Sequence, residues 1–197
     1  MNLPSISEIR AAYERIIPFI HKTPVMTSRQ LNNIFGCDLF FKCENFQKVG
    51  AFKFRGATNA VRLLTTEEKK RGVVTHSSGN HAAALALAAT MNGVKPYIVM
   101  PETAPEVKKN AVAGYGAEIT FCKPTLESRE STAREIIERT GAVLIHPYDN
   151  FNVICGQGTA ALELMAEVTD LDIIIAPVGG GGLMSGTSTT ARALSGN

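Results

Sequence analysis

Asn45-Phe46-Gln47-Lys48-Val49-Gly50-Ala51-Phe52-Lys53-Phe54-Arg55-Gly56-Ala57 sets a lysine between two phenylalanines in a segment bounded by glycines. An ammonium there is poorly solvated, and desolvation favours the neutral amine that attacks a carbonyl to form a Schiff base. Lys53 is therefore a candidate covalent catalyst. The plain alternative is a solvated lysine opening an amphipathic helix, with Phe52 and Phe54 as core residues. Two further segments bear on the choice.

The first, Thr75-His76-Ser77-Ser78-Gly79-Asn80-His81, follows the strand-like Gly72-Val73-Val74 and precedes a run of small residues from Ala82 to Ala89. A strand, a hydroxyl-rich turn and a helix start make an anion site, because unpaired N–H groups at the helix N-terminus point at the ligand. Ser77, Ser78 and Asn80 are placed to hold a carboxylate there; ordinary helix capping is the alternative. The second segment runs from Ile173-Ile174-Ile175-Ala176-Pro177-Val178 into Gly179-Gly180-Gly181-Gly182 and on to Leu183-Met184-Ser185-Gly186. It reads as a buried strand, four glycines and a helix. Consecutive glycines cost backbone entropy, and their missing side chains let backbone N–H groups close around a phosphate. A triphosphate loop would need Lys-Ser or Lys-Thr after its last glycine, and Leu183-Met184 stands there. The dinucleotide fingerprint fails as well, since no three glycines have its spacing. What remains is a phosphate cup without a triphosphate lysine, and a cofactor with one phosphate and one aldehyde would use both the cup and Lys53.

The chain has 197 residues, 45% of them hydrophobic, and a formal net charge of +2, which is enough to bury a real core and carries no bias toward nucleic acid. No apolar run reaches the roughly 18 to 20 residues of a membrane span, and the N-terminus does not read as a signal peptide. A cytoplasmic location, with neither nucleic acid nor membrane as partner, is expected. Cys37, Cys43, Cys122 and Cys155 are scattered, so free thiols rather than a zinc site are expected.

Helix and strand alternate along the chain. Ile6, Ile9, Tyr13, Ile16, Ile17 and Ile20 place a helix over 5–20, and 39–43 reads as a strand. Helices are expected at 54–64, 80–91, 105–113, 126–139, 158–168 and 183–194. Strands are expected from Val73 and at 97–100, 118–122, 143–145 and 172–176. Such repetition implies an α/β protein with a mostly parallel sheet covered on both faces. Joints fall near Arg71-Gly72 and His146-Pro147-Tyr148. The charge runs 67–70 and 106–109 read as solvated helical faces.

Four motifs in order, Phe52-Lys53-Phe54-Arg55-Gly56-Ala57, Ser77-Ser78-Gly79-Asn80-His81, Gly156-Gln157-Gly158-Thr159 and Pro177 through Leu183, resemble those of the fold-type II pyridoxal-phosphate enzymes. The resemblance is to the serine racemase, serine/threonine dehydratase and hydroxyaspartate dehydratase group, and it runs from about the first helix to the last residue. It implies a tryptophan synthase β-like fold of two domains, with residues 1–70 and 149–197 forming a large cofactor-binding domain and 71–148 a small one. It implies pyridoxal 5'-phosphate as cofactor, a small amino acid as substrate, and a homodimer. In that group Lys53 matches the Schiff-base lysine, Phe52 packs beside the cofactor, and Asn80 contacts its ring oxygen. Gly179, Gly180, Gly181, Gly182 and Leu183 match the phosphate loop, and Ser77, Ser78, Asn80 and His81 the receptor of the substrate carboxylate. For His81 a structural histidine capping the helix is an equal alternative.

The implied reaction is β-elimination or racemisation of serine, threonine or a related β-hydroxy amino acid, giving a keto acid and ammonia or the D-enantiomer. Lys53 and Ser78 match the catalytic pair, with Ser78 returning a proton on the face opposite Lys53; a plain cap serine is the alternative. Tyr148-Asp149 looks more like the dehydratase pattern. Lys48 and Tyr115 match nucleotide-effector positions of animal serine racemase, but Arg29 and Val49 replace hydroxyl residues, so no nucleotide effector is expected. Members of the group continue past the position of Asn197, so the large domain is expected to be incomplete. The partner of the pyridine nitrogen and the ligands of a divalent cation, Mg or Ca, are then expected beyond it, with no metal ligand in this chain. The competing reading is a noncatalytic fragment or pseudoenzyme serving as a binding or assembly module. β-Replacement chemistry is disfavoured, because its phosphate loop is richer in threonine and serine.

Overall fold

The structure, a computed structural model, describes residues 3–195; residues 1–2 and 196–197, the ends of the expected larger domain, lie outside the described residues. The chain opens on α1 (Ile6–Ile16), started by a reciprocal cap in which the Ser5 hydroxyl accepts from the Glu8 N–H and the Glu8 carboxylate accepts from the Ser5 N–H. Ile9, Ala12 and Ile16 form its buried stripe. Strands β1 (Val25–Thr27) and β2 (Phe40–Lys42) pair antiparallel around the short helix α2 (Arg29–Phe35). Two 3-10 turns, Glu44–Phe46 and Lys48–Gly50, then lead into α3 (Lys53–Arg62) and α4 (Thr66–Arg71).

From Val73 the expected repetition appears. Strands β3 (Val73–His76), β4 (Pro96–Pro101), β5 (Glu118–Cys122) and β6 (Val143–Leu144) alternate with α5 (Asn80–Met91), α6 (Glu106–Gly114) and α7 (Leu126–Thr140). The strands form one parallel sheet in the order β5-β4-β3-β6. Alternation along the strands divides the core. Val73, Ile98 and Met100 pack with α3, α5 and Val112 of α6, while Val74, Tyr97 and Val99 pack with Ala133 and Ile136 of α7. Both faces are therefore covered, as a buried parallel sheet requires.

Helices α8 (Phe151–Glu167) and α9 (Gly182–Leu194) pack with α1 and α3 on the other side of α5. Helix α8 begins seven residues before the expected start at Gly158, since Asn150 caps it by accepting from the Val153 N–H. Glycine is a poor helix former, which made 156–158 read as a boundary, but these glycines are interior and serve close packing. A Cβ on Gly156 would lie 2.6 Å from the Gly56 Cα of α3, and one on Gly186 of α9 would lie 2.6 Å from the Gly158 N. Helix α8 thus ties the Lys53 helix to the helix that follows the glycine loop.

One expected strand is absent. Residues 172–176 are in no ladder, and Ile173 and Ile175 are 76% and 89% exposed. A strand exists only through its neighbours, and none of the described segments pairs with this one.

Candidate active site

The sheet order reverses between β3 and β6: from β3 the chain passes outward through α5 to β4, and it returns through α7 to β6 on the opposite side. In an open parallel sheet, ligands bind in the crevice outside the carboxyl ends of the strands at such a switch point. The loops that leave β3 and β6 there are Ser77–Gly79 and Ile145–Asn150. A cavity of about 500 Å³ lies between them, lined by Lys53, Ser77, Ser78, Gly79, Asn80 and His81 together with His76, Lys108, Arg129 and Tyr148.

Lys53 is the first residue of α3 and half-buried. Its Nζ donates to the Pro147 carbonyl at 2.7 Å and lies 5.3 Å from the Phe52 ring centre. Burial pushes its pKa below the ordinary lysine range, so a larger fraction is neutral amine. Lys53 thus opens the helix, as the solvated-lysine alternative has it, and its side chain is half-buried and bonded rather than fully solvated.

Gly79, not a serine, is the N-cap of α5, and no side chain caps that helix. Ser77 Oγ instead accepts from the Gly79 N–H at 3.3 Å, and the first N–H groups of α5 stay open toward the cavity loop. The His81 ring turns away from a capping role: it is 2% exposed and its Nε2–H donates to the Ile145 carbonyl at 3.1 Å, tying the start of α5 to the end of β6. Its Nδ1 has no hydrogen-bond partner among the described residues. Neutral imidazole is the form held, because burial drives its pKa down to about 3.

Gly181, in the left-handed region at φ 86°, caps α9, and no side chain accepts a hydrogen bond from the N–H groups that open that helix. A Cβ on Gly179 or Gly181 would meet nothing within 4 Å, whereas one on Gly180 would strike the Tyr148 ring. Tyr148 therefore stands between the Lys53 cavity and the glycine loop, touching both. Its turn is held by His146 Nδ1, which accepts from the Asp149 N–H at 2.9 Å. Phe52 and Leu183 line a second, smaller cavity of about 200 Å³ beside the first. Among the described residues no cluster of His, Cys, Asp and Glu side chains is placed to hold a metal ion.

Sequence reasoning brought Lys53, Ser77, Ser78, Asn80 and His81 to one cavity and Gly179–Gly182 to its margin. It missed His76, Lys108 and Arg129; Lys108 is exposed, as a solvated face requires, yet it also reaches the rim. It also assigned no role to Arg55, whose side chain is wholly buried against Glu44 and Glu163. A charged residue two positions after Lys53, among apolar neighbours, was the available signal.

The pyridoxal-phosphate dependent enzyme family matches residues 16–197. The chain belongs to that family. It is 56% identical to the serine racemase of Dictyostelium discoideum over 100% of its own length and 61% of that protein's. It is 50% identical to the beta-hydroxyaspartate dehydratase of Paracoccus denitrificans over 98% of this chain and 62% of that one. The structure of maize serine racemase superposes with a TM-score of 0.96 at 49% identity, covering 98% of this chain and 59% of that chain. The fold is thus that of the fold-type II pyridoxal-phosphate enzymes, and the chain spans about three fifths of these relatives' length.

The residues present fit the family cofactor. A desolvated amine, a helix N-terminus with an uncapped glycine loop, and open space before Gly179 and Gly181 suit an aldehyde and a phosphate on one molecule.

Proposed function

We propose that the protein to which this chain belongs catalyses β-elimination or racemisation of a small β-hydroxy amino acid such as serine, threonine or hydroxyaspartate. The observation that carries the reading is Lys53: a half-buried amine of lowered pKa at the mouth of the switch-point cavity. Lys53 would hold the cofactor's aldehyde carbon, and the N–H groups of Gly179–Gly182 and Leu183 its phosphate. Phe52 would pack against the ring and Asn80 would meet the ring oxygen. When bound, pyridoxal phosphate supplies a sink for the electron pair released at the substrate's α-carbon.

The chain's own residues do the rest. Ser77, Ser78, Asn80 and the backbone N–H of His81 receive the substrate carboxylate, which sets the α-hydrogen toward Lys53. The Lys53 Nζ, whose pKa burial lowers, takes that proton. Ser78 Oγ returns a proton from the other side when the product is the D-enantiomer; without that return, loss of the β-hydroxyl releases an enamine that water hydrolyses to the keto acid and ammonia. The names of the Dictyostelium and Paracoccus relatives support both outcomes.

The reading also carries a division into 1–70 with 149–197 and 71–148, supported by the self-contained sheet between Val73 and Leu144. It further carries a cytoplasmic homodimer, supported by four free thiols and by exposed apolar side chains such as Ile34 and Phe35. No described helix is long and apolar enough to cross a membrane.

Borohydride reduction of the cofactor-loaded protein followed by peptide mapping tests the assignment. The label is expected on Lys53, and a label on another lysine would sink it.

A further inference from the structure

Arg55 lies two residues beyond Lys53 in α3, about 200° around the helix at 3.6 residues per turn, so the two side chains leave opposite sides of the same first turn. Its guanidinium is completely buried. Nε and Nη2 donate to the two oxygens of Glu44, each at 2.8 Å. Nη1 and Nη2 donate to the two oxygens of Glu163, each at 2.8 Å. Thr159 and Thr23 accept two further contacts at 3.3 and 3.4 Å. Lys42 Nζ adds a second cation, 2.7 Å from Glu163, and donates to the Thr23 carbonyl at 2.6 Å. Lys42 Nζ also lies 3.6 Å from Glu167, so Arg55 and Lys42 together meet three carboxylates, and the cluster joins β2, the 3-10 turn at Glu44, α3 and α8.

Stability alone does not account for this arrangement. Apolar side chains of similar volume commonly serve as well as a buried ion cluster, and a cation in the first turn of a helix meets the positive end of its dipole. What the planar guanidinium supplies is direction: two bidentate pairs at a fixed angle, which an ammonium cannot reproduce. The first turn of α3 has need of it, because Phe52 at the N-cap offers no side-chain cap.

We propose that Arg55 is a positioning residue, whose clamp between Glu44 and Glu163 fixes the first turn of α3 and with it the point from which Lys53 reaches the cavity. The proposal rests on the reading of Lys53 given above. The lowered pKa of Lys53 is consistent with it, since a loosened turn would let water reach the amine. The other ionisable groups at that cavity, His76 on β3, His81 on α5, Lys108 on α6, Arg129 on α7, Tyr148 on the turn after β6 and His146 beside it, are not among the hydrogen-bond partners of Arg55, which are Glu44, Glu163, Thr159 and Thr23.

The test compares wild type with Arg55→Lys and the milder Thr159→Val, which removes one acceptor of the clamp. In the cofactor-free full-length protein, the pH midpoint for acetylation of Lys53 by acetic anhydride is read by peptide mass. In the loaded protein, kcat and KM for elimination from L-serine are measured. For Arg55→Lys the Lys53 midpoint should rise by about one pH unit and kcat should fall about tenfold or more, with KM within about threefold, as misplacement of a reacting group predicts. Thr159→Val should move both the same way by less, and it decides the matter alone if Arg55→Lys does not fold. A lower melting temperature with midpoint and kcat unmoved would overturn the proposal, leaving Arg55 a part of the fold only. If borohydride marks a lysine other than Lys53 in wild type, the functional reading and this proposal fall together; a mark on Lys53 with unmoved variants removes the Arg55 proposal alone.

Discussion

His81 shows how a single side chain at the switch point links the site to stability. Its imidazole is held neutral chiefly by burial; the hydrogen bond to Ile145 opposes the shift, and the charges of Lys53, His146 and His76 add to it, leaving a pKa of about 3 against an ordinary 6.5. Between those values the unfolded chain binds a proton that the folded chain refuses. Stability from this group is therefore complete above pH 6.5 and falls as the pH drops from 6.5 toward 3. Between pH 6.5 and 5 the loss should be roughly 2 kcal/mol from His81. Urea unfolding at pH 7 and pH 5 should show that loss in wild type and much less of it in His81→Gln, whose amide can still donate to Ile145. His76 and His146 are also shifted down, first by burial, and contribute to the slope in both proteins alike. Equal slopes would exclude His81 as the source. The sequence placed His81 beside the serines correctly, but its ring meets a carbonyl 64 residues further on, and such a partner has no local signature.

Elements were legible where the pattern needed no distant partner. Helix α5 and strand β5 have the expected bounds, because a run of small residues and a five-residue alternation of polar and apolar residues, Glu118-Ile119-Thr120-Phe121-Cys122, declare themselves locally. The antiparallel pair β1 and β2 depends on contacts across the chain, 172–176 lacks a described neighbour to make it a strand, and the start of α8 was missed although its Asn150 cap is local. The Gly156-Gln157-Gly158 run was legible as a family motif but not as a contact surface. Its function is steric: a Cβ on Gly156 would lie 2.6 Å from the Gly56 Cα and 2.7 Å from the Arg55 carbonyl, both backbone atoms that cannot swing aside. In an exposed helix, replacing glycine by alanine stabilises by about 0.5–1 kcal/mol. Here overpacking should prevail, so Gly156→Ala should destabilise by about 1–3 kcal/mol and part α3 from α8. Urea unfolding checks the sign, and any gain in stability would mean that the two helices have room to separate.

At the scale of the whole molecule, the alternation of strand and helix from Val73 made the parallel sheet readable, and the sheet's order then dictates where the chemistry sits. The order itself was not in the sequence, since β6 pairs with β3, about 70 residues earlier, rather than with β5. The surface carries a second consequence. Ile173, Ile175 and Val178 are 76%, 89% and 66% exposed within six residues, and together they form an apolar strip of the kind that drives association. The polypeptide of residues 1–197, purified by itself, should therefore self-associate with rising concentration. Ile175→Glu should shift it toward monomer with almost no change in melting temperature, because a side chain that exposed contributes little to packing in the folded state. Sedimentation velocity over a range of concentrations separates the outcomes. Association that survives Ile175→Glu would move the contact to another surface, the exposed Ile34 and Phe35 of α2 being the next to test, whereas a wild-type monomer throughout would show that the strip is tolerated in water.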